Sequence, residues 1–236
     1  QIVDPERHTN RILNQMKTDL RLNKMPVHIE CFDNSNIQGS NPVASCIVFK
    51  NSKPSKKDYR HFNIKTVEGP DDYASMEEVV YRRYRRMLDE KLSLPSLIII
   101  DGGKGQLSSS IKALKKLNLE NTIAILGIAK RLEEIFYPND PIPLYLNKKS
   151  ETLKVIQQMR NEAHRFAINF HRNKRSKQAL TSSFDGIPGI GEKTKTALLK
   201  RFKSLKNIKE TSLELLISEV GESKAKKLKD FLNSMS

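Results

Sequence analysis

The residues best suited to chemistry lie in the run Leu-Ile-Ile-Ile-Asp-Gly-Gly-Lys-Gly-Gln at positions 97–106. Four consecutive aliphatic residues are typical of a strand that is buried on both faces. This strand ends at Asp101, and a glycine-rich turn follows it. Because α/β proteins bind ligands and metals in the loops at the carboxyl ends of such strands, Asp101 is the first candidate for a chemical role.

This run allows a structural interpretation as well as a chemical one. An Asp-Gly-Gly turn in which Asp101 bonds its own backbone is a common structural feature and stays open as an alternative. A Walker phosphate loop is excluded, since that motif has a glycine four residues ahead of Gly-Lys and a Ser or Thr directly after it. Here Gly103-Lys104 directly follows a strand, and Gly105 occupies the position where the motif has Ser or Thr.

A second carboxylate and a histidine are candidates for the same site. Asp33 ends an apolar run at 27–33, and if that strand lies beside the Asp101 strand and parallel to it, both acids emerge at one sheet edge. Two close carboxylates repel each other, and Mg²⁺ or Mn²⁺ relieves this repulsion while accepting oxygen ligands. Such ions activate water and stabilise charge in phosphodiester cleavage.

His164 lies on the polar side of a predicted helix, where Gln157, Arg160 and His171 share its arc. It is a candidate to bind a metal or to position a water molecule. A single histidine on a helix is more often structural, so the prediction rests on its polar neighbours.

The elements that must position these residues follow from hydrophobic periodicity and turn residues. The pattern predicts the order β-β-β-α-β-α-β followed by one long helix. The predicted strands are 27–33, 43–50, 58–64, 97–101 and 123–128. One predicted helix follows 70–72, and two others cover 107–117 and 151–172. Residues 1–25, with a short helical pattern at Ile12, Met16 and Leu20, are interpreted as a leader into the domain. The basic, serine-rich stretch 172–182 is interpreted as a domain boundary.

Two features near the second helix have purely structural alternatives. Asp72 stands at a predicted helix start, where capping alone is sufficient to explain an acid. The cluster Arg82, Arg83, Arg85 and Arg86 is accounted for equally well as a solvated helix face.

Composition narrows the class of partner. The 42 Lys and Arg against 27 Asp and Glu give a net charge of +15, and such a field attracts polyanions, with nucleic acid first among them.

The cysteines and the apolar runs indicate the cellular compartment. Cys31 and Cys46 lie in apolar runs without metal or redox spacing, which indicates buried free thiols in a reducing compartment. No apolar run is long enough to span a membrane and no signal peptide is evident, so a cytoplasmic protein without membrane partners is expected. Because the sequence begins at Gln1, it is interpreted as a piece of a longer protein.

The C-terminal part has a glycine-rich turn ahead of a helix. Ile-Pro-Gly-Ile-Gly at 187–191 precedes a predicted helix over 194–202. Glycines there let the backbone turn and present N–H groups, which bind a phosphate without reading a base.

Together these residues resemble the carboxyl-terminal half of the UvrC family of bacterial excision-repair endonucleases, over about residues 26–236. The segments that carry the resemblance are Glu-Cys-Phe-Asp at 30–33, Asp-Asp-Tyr-Ala-Ser-Met at 71–76, Ile-Asp-Gly-Gly-Lys-Gly-Gln-Leu at 100–107, Arg-Asn-Glu-Ala-His-Arg at 160–165 and the turn at 187–191.

The resemblance implies an α/β fold with a ribonuclease-H-like mixed sheet and flanking helices, followed by a small all-α tandem helix-hairpin-helix domain. The implied divisions are a linker at 1–25, an endonuclease domain at 26–176 and a DNA-binding domain at 177–236. It maps a catalytic Asp-Asp-His set, also the ligands of Mg²⁺ or Mn²⁺, onto Asp33, Asp101 and His164, with Asp72 as a further important acid.

The resemblance also implies an activity and partners. The activity is the cut on the 5′ side of a lesion in double-stranded damaged DNA, with DNA contacts expected from Lys104, Gly189, Gly191 and Lys193. The 3′ cut and the segment that binds UvrB belong to parts that this sequence does not contain, and UvrA is an indirect partner. The second hairpin, Val-Gly-Glu-Ser-Lys-Ala at 220–225, departs from the family pattern by about two residues, which puts its phosphate binding in doubt.

Two alternatives remain beside this resemblance. One is a non-catalytic helix-hairpin-helix DNA-binding protein with structural acids, which would act without metal. The other is a different ribonuclease-H-like enzyme, such as a resolvase or transposase. Such an enzyme would share the acids, but the loop at 102–106 and the hairpins would not be expected in it.

Overall fold

The computed structural model describes residues 4–35, 43–67, 69, 71–129, 134–185 and 187–234. Contacts divide the chain into two compact units, one ending at Phe170 and the other beginning at His171. Each unit has its own hydrophobic core. Within the described residues, no helix combines the length and the hydrophobicity that a membrane crossing requires.

The first unit is built on one mixed sheet. Its strands, within the described residues, are β1 (His28–Ser35), β2 (Val43–Lys50), β3 (Lys53–Pro54), β4 (Arg60–Asn63), β5 (Leu97–Asp101), β6 (Ala124–Ile128) and β7 (Ile135–Phe136). They lie in the order β3-β2-β1-β5-β6-β7, and β4 pairs with β2 beside β3. Strand β1 is antiparallel to β2 but parallel to β5, and β5 is parallel to β6. The predicted order of three strands, then α-β-α-β, is therefore confirmed, with β3 and β7 as short additions.

Helices cover both faces of this sheet. They are α1 (Pro5–Asp19), α2 (Asp72–Asp89), α3 (Lys104–Lys116) and α4 (Glu151–Ser183). Helix α1 begins at a proline after Asp4, whose side chain accepts a hydrogen bond from the Glu6 N–H, and both features are typical of helix starts.

Strand alternation sorts the side chains of β1 onto two faces. Ile29 and Cys31 belong to the core that packs on α1 and α4, whereas Phe32 belongs to the core under α2 and α3. Asp33 follows the parity of Cys31, so its carboxylate faces the α4 side. Both cysteines are buried and free, as predicted.

Two expectations about chain organisation need correction. The helical pattern at Ile12, Met16 and Leu20 is confirmed by α1, but these residues lie in the core of the first unit, so the segment 4–25 is part of that unit and not a leader into it. The helix predicted to end at Arg172 continues to Ser183. The basic stretch expected to be a boundary is therefore helical, since lysine, arginine and glutamine are good helix formers, and the contact division falls at Phe170.

The second unit is helical. After the end of α4 it contains α5 (Glu192–Phe202), α6 (Leu205–Glu210), α7 (Leu213–Val220) and α8 (Glu222–Ser234). Side chains from all of these helices share one core around Phe184, Leu198 and Leu228.

Candidate active site

Asp33 and Asp101 lie directly opposite each other on neighbouring strands. The parallel pairing of β1 with β5 matches Cys31 to Ile99 and Asp33 to Asp101, so the two carboxylates lie on the same face, about 5 Å apart at the backbone. Both residues are buried, with 0% and 3% of their surface exposed. The arrangement expected from two strand ends, two acids at one sheet edge, is present.

His164 lies next to this pair on α4. Its Nδ1 is 3.6 Å from Oδ2 of Asp33, and its side chain is 58% exposed while that of Asp33 is 1% exposed. The imidazole thus connects a buried carboxylate to solvent, which suits a residue that handles water or a proton at the mouth of the site.

The charges around the pair also reach Cys31, which precedes Asp33 on the same face of β1. Burial raises the pKa of the Cys31 thiol, and the charges of Asp101 and Asp33 raise it further, while that of Arg160 opposes them. Arg160, predicted to share the polar arc of His164, therefore places positive charge near the acids. Cys31 remains a neutral thiol and a packing residue.

The glycine-rich turn packs against the start of α2. A methyl group added to Gly105 would lie 2.4 Å from the Tyr73 ring, and one added to Gly102 would overlap the Gln106 side chain, whereas one at Gly103 would meet nothing within 4 Å. Close packing therefore accounts for two of the glycines. Only Gly103 leaves open space for an incoming group.

An open pocket of about 620 Å³ lies between these segments, lined by 71–73 and 103–106. Asp72 lines it, and the Asn34 amide, next to Asp33, donates to the Asp72 carbonyl at 2.9 Å. The cap of α2 is Asp71, whose carboxylate accepts from the N–H groups of Tyr73 and Ala74. The interpretation of Asp72 as the capping residue is therefore wrong. Asp72 instead lines this pocket, whose lining residues do not include Asp33 or Asp101.

Lys104, predicted to contact DNA, begins α3. Its ammonium donates to the Pro141 carbonyl at 2.7 Å and lies 5.1 Å from the centre of the Phe136 ring. The residue before it, Gly103, offers no side-chain cap. The turn therefore presents a helix start without a side-chain cap, which favours anions, whereas the Lys104 ammonium contacts Pro141 and Phe136.

The donor set matches Mg²⁺ or Mn²⁺ in chemistry, since the two carboxylates supply the oxygen ligands that these ions prefer. In the described part of the chain, no three or more His, Cys, Asp and Glu side chains are grouped closely enough to hold a metal ion. The predicted metal ligands Asp33, Asp101 and His164 are therefore not brought together as a set of three; the structure pairs the two acids and places the His164 ring near Asp33.

Comparison with protein families shows which family the chain belongs to. The family described as the UvrC RNAse H endonuclease domain matches residues 17–168. The chain belongs to the UvrC family. Its sheet and flanking helices are thus a ribonuclease-H-like endonuclease domain, and a helix-hairpin-helix motif matches residues 184–236.

Similar curated proteins carry the same family name. The UvrABC system protein C of Flavobacterium psychrophilum is 69% identical over 235 residues, which is 100% of this chain and 39% of that protein. That of Christiangramia forsetii is 70% identical over 233 residues, 99% of this chain and 39% of that protein. The chain thus spans about 39% of the length of these relatives.

Among solved structures, Ciona intestinalis Endonuclease V, in complex with a 24mer DNA containing an inosine followed by a ribo-adenosine, is 14% identical with a TM-score of 0.34. The match covers 66% of this chain and 67% of that one.

In this UvrC chain, the first hairpin of the second unit lies at 187–191, ahead of α5. Gly189 has a φ of +88°, a conformation that favours glycine. Gly191 stands at the N-cap of α5 without a side-chain cap, and Lys193 is exposed. The predicted DNA contacts therefore share one solvent-facing helix start.

The second hairpin is much shorter. Only Gly221, with a φ of +84°, separates α7 from α8. This agrees with the expectation that it departs from the usual length. Its helices bury Leu216, Ala225 and Leu228 in the shared core, a packing role.

A buried polar cluster on the opposite face of β1 was not predicted from the sequence. Arg83 donates to Glu30 twice, at 2.6 and 3.1 Å, and the Tyr84 hydroxyl donates to it at 2.9 Å. Two neighbouring arginines of α2 form exposed pairs instead, Arg85 with Asp89 and Arg86 with Glu90. The signal available in the sequence was Glu30, an acid inside an apolar strand, since such a residue needs a cation when buried.

Proposed function

We propose that this chain supplies the endonuclease activity that cuts the damaged strand on the 5′ side of a lesion in nucleotide excision repair. The observation that carries the proposal is the in-register pair Asp33 and Asp101, buried beside an anion-favouring turn in a member of the UvrC family. A structural role alone does not account for two adjacent buried carboxylates, because close like charges raise the free energy of the folded state.

Asp33 and Asp101 would hold Mg²⁺ or Mn²⁺, and His164, which the structure does not group with both acids as a third ligand, would position water. When bound, the metal lowers the pKa of water and stabilises charge on the cleaved phosphodiester. With its Nδ1 toward Asp33, His164 directs Nε2 away from that carboxylate, where this nitrogen can accept a proton from the attacking water. Asp72, across the pocket, supports the site from the α2 side.

The positive charge favours a polyanion, and membership of the UvrC family makes double-stranded damaged DNA the proposed substrate class. Residues 171–236 contain 15 Lys and Arg against 7 Asp and Glu, about half of the net charge of +15. The first hairpin, through Gly189, Gly191 and Lys193, would bind backbone phosphate without reading bases. Lys104 and the N–H groups after Gly103 would receive the phosphate next to the cut.

The proposed protein partners rest on membership of the UvrC family. UvrB would bind a segment outside this chain and bring it to the lesion, with UvrA acting earlier and indirectly. Lesion choice then rests with these partners, because no contact proposed for this chain reads a base.

The test is incision mapping in a chimera. In the Flavobacterium psychrophilum protein, the matching segment is replaced by this chain, and the chimera is incubated with UvrA, UvrB and a duplex that carries one defined lesion. We expect a 5′ cut that is lost in the Asp101→Asn chimera, while the 3′ cut persists. A 5′ cut of equal rate in both proteins would refute the proposal, and binding without any cut would favour a non-catalytic DNA-binding role.

A further inference from the structure

The paired acids belong to a longer row of side chains that crosses the sheet. Asp101 pairs with Asp33, Asp33 pairs with Ser45 on β2, and Ser45 pairs with His61 on β4. Residues directly opposite each other on neighbouring strands project from the same face. We call these four residues the cross-strand row, and its face is the one that α4 covers.

The two members of the row that are not acids both bond to the backbone of α4. The Ser45 hydroxyl, fully buried, donates to the Ala163 carbonyl at 3.1 Å. The Nε2 of His61 lies 3.1 Å from the Phe166 carbonyl. Because a carbonyl only accepts, His61 must carry its proton on Nε2 in this contact.

The His61 ring is fixed in its plane by aromatic stacking. It stacks on Phe166 with ring centres 3.7 Å apart and an interplanar angle of 16°, and on Phe170 at 4.2 Å and 27°. Tyr59 contacts the Phe166 ring edge to face at 5.1 Å. The contact between Nε2 and the helix carbonyl is therefore held by rings of α4 itself.

These two bonds bracket the turn that carries His164. A helical carbonyl already accepts one N–H from the next turn, and its second lone pair can accept another donor. The apolar contacts of α4, through Met159, Ala163 and Ala167, are not directional. These apolar contacts hold α4 against the sheet. Two hydrogen bonds define the rotation of the helix about its axis and its position along that axis more closely than such contacts do.

We propose that Ser45 and His61 are positioning residues that set the register of α4 on the sheet, so that His164 meets Asp33. The cross-strand row thus contains the two acids and also sets the position of His164. A slide of one residue along α4 would move the imidazole by about 1.5 Å and rotate it by about 100°. A misplacement of about 1 Å is enough to slow a catalysed reaction about 100-fold. This inference rests on the proposed function only in assigning His164 to DNA cleavage.

The test uses four variants of the 236-residue chain and one matched control. Ser45→Ala removes one bond, His61→Phe removes the other while keeping the stack, and the double variant removes both. His61→Gln restores an N–H donor. The control is Ser96→Ala, since the Ser96 hydroxyl also donates to a backbone carbonyl, that of His28 at 3.2 Å, but at the opposite end of β1.

Single-turnover nicking of duplex DNA at saturating protein is the first measurement. We expect Ser45→Ala and His61→Phe each to be about 3- to 10-fold slower and the double variant about 100-fold slower, with the dissociation constant for DNA changed less than about twofold. Ser96→Ala should stay near the wild-type rate, and His61→Gln, which restores the donor but not the stacked ring, should be faster than His61→Phe. A double variant as fast as wild type, His61→Gln as slow as His61→Phe, or a rate loss matched by lost DNA affinity would overturn the proposal.

The second measurement needs neither metal nor DNA. Nuclear Overhauser contacts between the His164 ring protons and the Asp33 β-protons are recorded in metal-free protein, with thermal unfolding confirming that each variant is folded. We expect the contacts in wild type and Ser96→Ala and their loss in the double variant. Their persistence there would contradict the inference even if wild type nicks DNA. If wild type does not nick at all, the proposed function fails while this measurement still decides the positioning role.

Discussion

The buried pair of Glu30 and Arg83 gives a prediction whose magnitude follows from the structure. Burial raises the pKa of Glu30, but the His28 ring, with its Nε2 3.3 Å from the carboxylate, and the hydrogen bonds and charge of Arg83 outweigh it, and the pKa falls from 4.5 to about 2. At about 1.36 kcal/mol per pKa unit, this difference corresponds to about 3 kcal/mol of stability. A carboxyl whose folded pKa is lowered contributes above its unfolded pKa. The contribution is therefore full above a pH of about 4.5 and is lost as the pH falls toward 2.

The perturbation is Glu30→Gln, which keeps the shape and removes the charge. It leaves the Arg83 side chain, only 11% exposed, without its counter-ion, and breaking a buried pair in this way costs about 3 to 5 kcal/mol. The matched control is Glu90→Gln. Glu90 pairs with Arg86 through a similar 2.6 Å contact, but the two side chains are 45% and 66% exposed, so we expect a loss below about 1 kcal/mol.

The assay is urea unfolding at neutral pH, followed through NMR signals of β1 and β2 so that the second unit does not contribute. Repeating it from about pH 6 down to about pH 2.5 should show that wild type loses more stability with acid than Glu30→Gln does. If Glu30→Gln and Glu90→Gln destabilise the protein equally, or if both respond alike to acid, the reasoning about this buried pair is wrong.

Three further predictions concern the second unit. Gly221→Ala should lower the free energy of unfolding of the second unit by about 1 to 3 kcal/mol. Gly221 has a φ of +84° and a ψ of 158°, a region used essentially by glycine alone. A melting temperature unchanged from wild type would count against this prediction. Replacing Gly189 and Gly191 with Ala should weaken duplex binding without altering base preference, as measured on duplexes of different sequence, and a change of preference without loss of affinity would contradict it. Lys193→Ala should reduce the slope of log affinity against log salt by about 1, and an unchanged slope would exclude a phosphate contact.

Much of the endonuclease domain was predictable from its sequence, since buried strands and amphipathic helices have clear periods. The run at 97–101 and the acid that ends it were located at the right positions because four aliphatic residues in succession between turn-forming segments strongly favour a buried strand. The pairing of Asp33 with Asp101 was not predictable from periodicity alone, because strand order depends on contacts between distant segments. The shared edge required β1 and β5 to be parallel neighbours, and their observed pairing meets that requirement.

The remaining site features depend on tertiary contacts that no local pattern reports. Ser45 is an ordinary strand serine in the sequence, and its bond to the Ala163 carbonyl exists only because α4 crosses that strand. The capping residue of α2 was ambiguous because Asp71 and Asp72 are adjacent and either could cap. The extent of α4 beyond Arg172 was missed because charged residues do not mark a helix end.

The central claim is that Asp33 and Asp101 form one metal-dependent catalytic centre. The most direct measurement is nicking of supercoiled plasmid by the 236-residue chain with Mg²⁺ or Mn²⁺, comparing wild type with Asp101→Asn, alongside the dissociation constant of each for duplex DNA. We predict that Asp101→Asn abolishes nicking and leaves DNA affinity roughly intact, and that a chelator does the same to wild type. Full nicking by Asp101→Asn, or nicking that persists in the chelator, would contradict the claim.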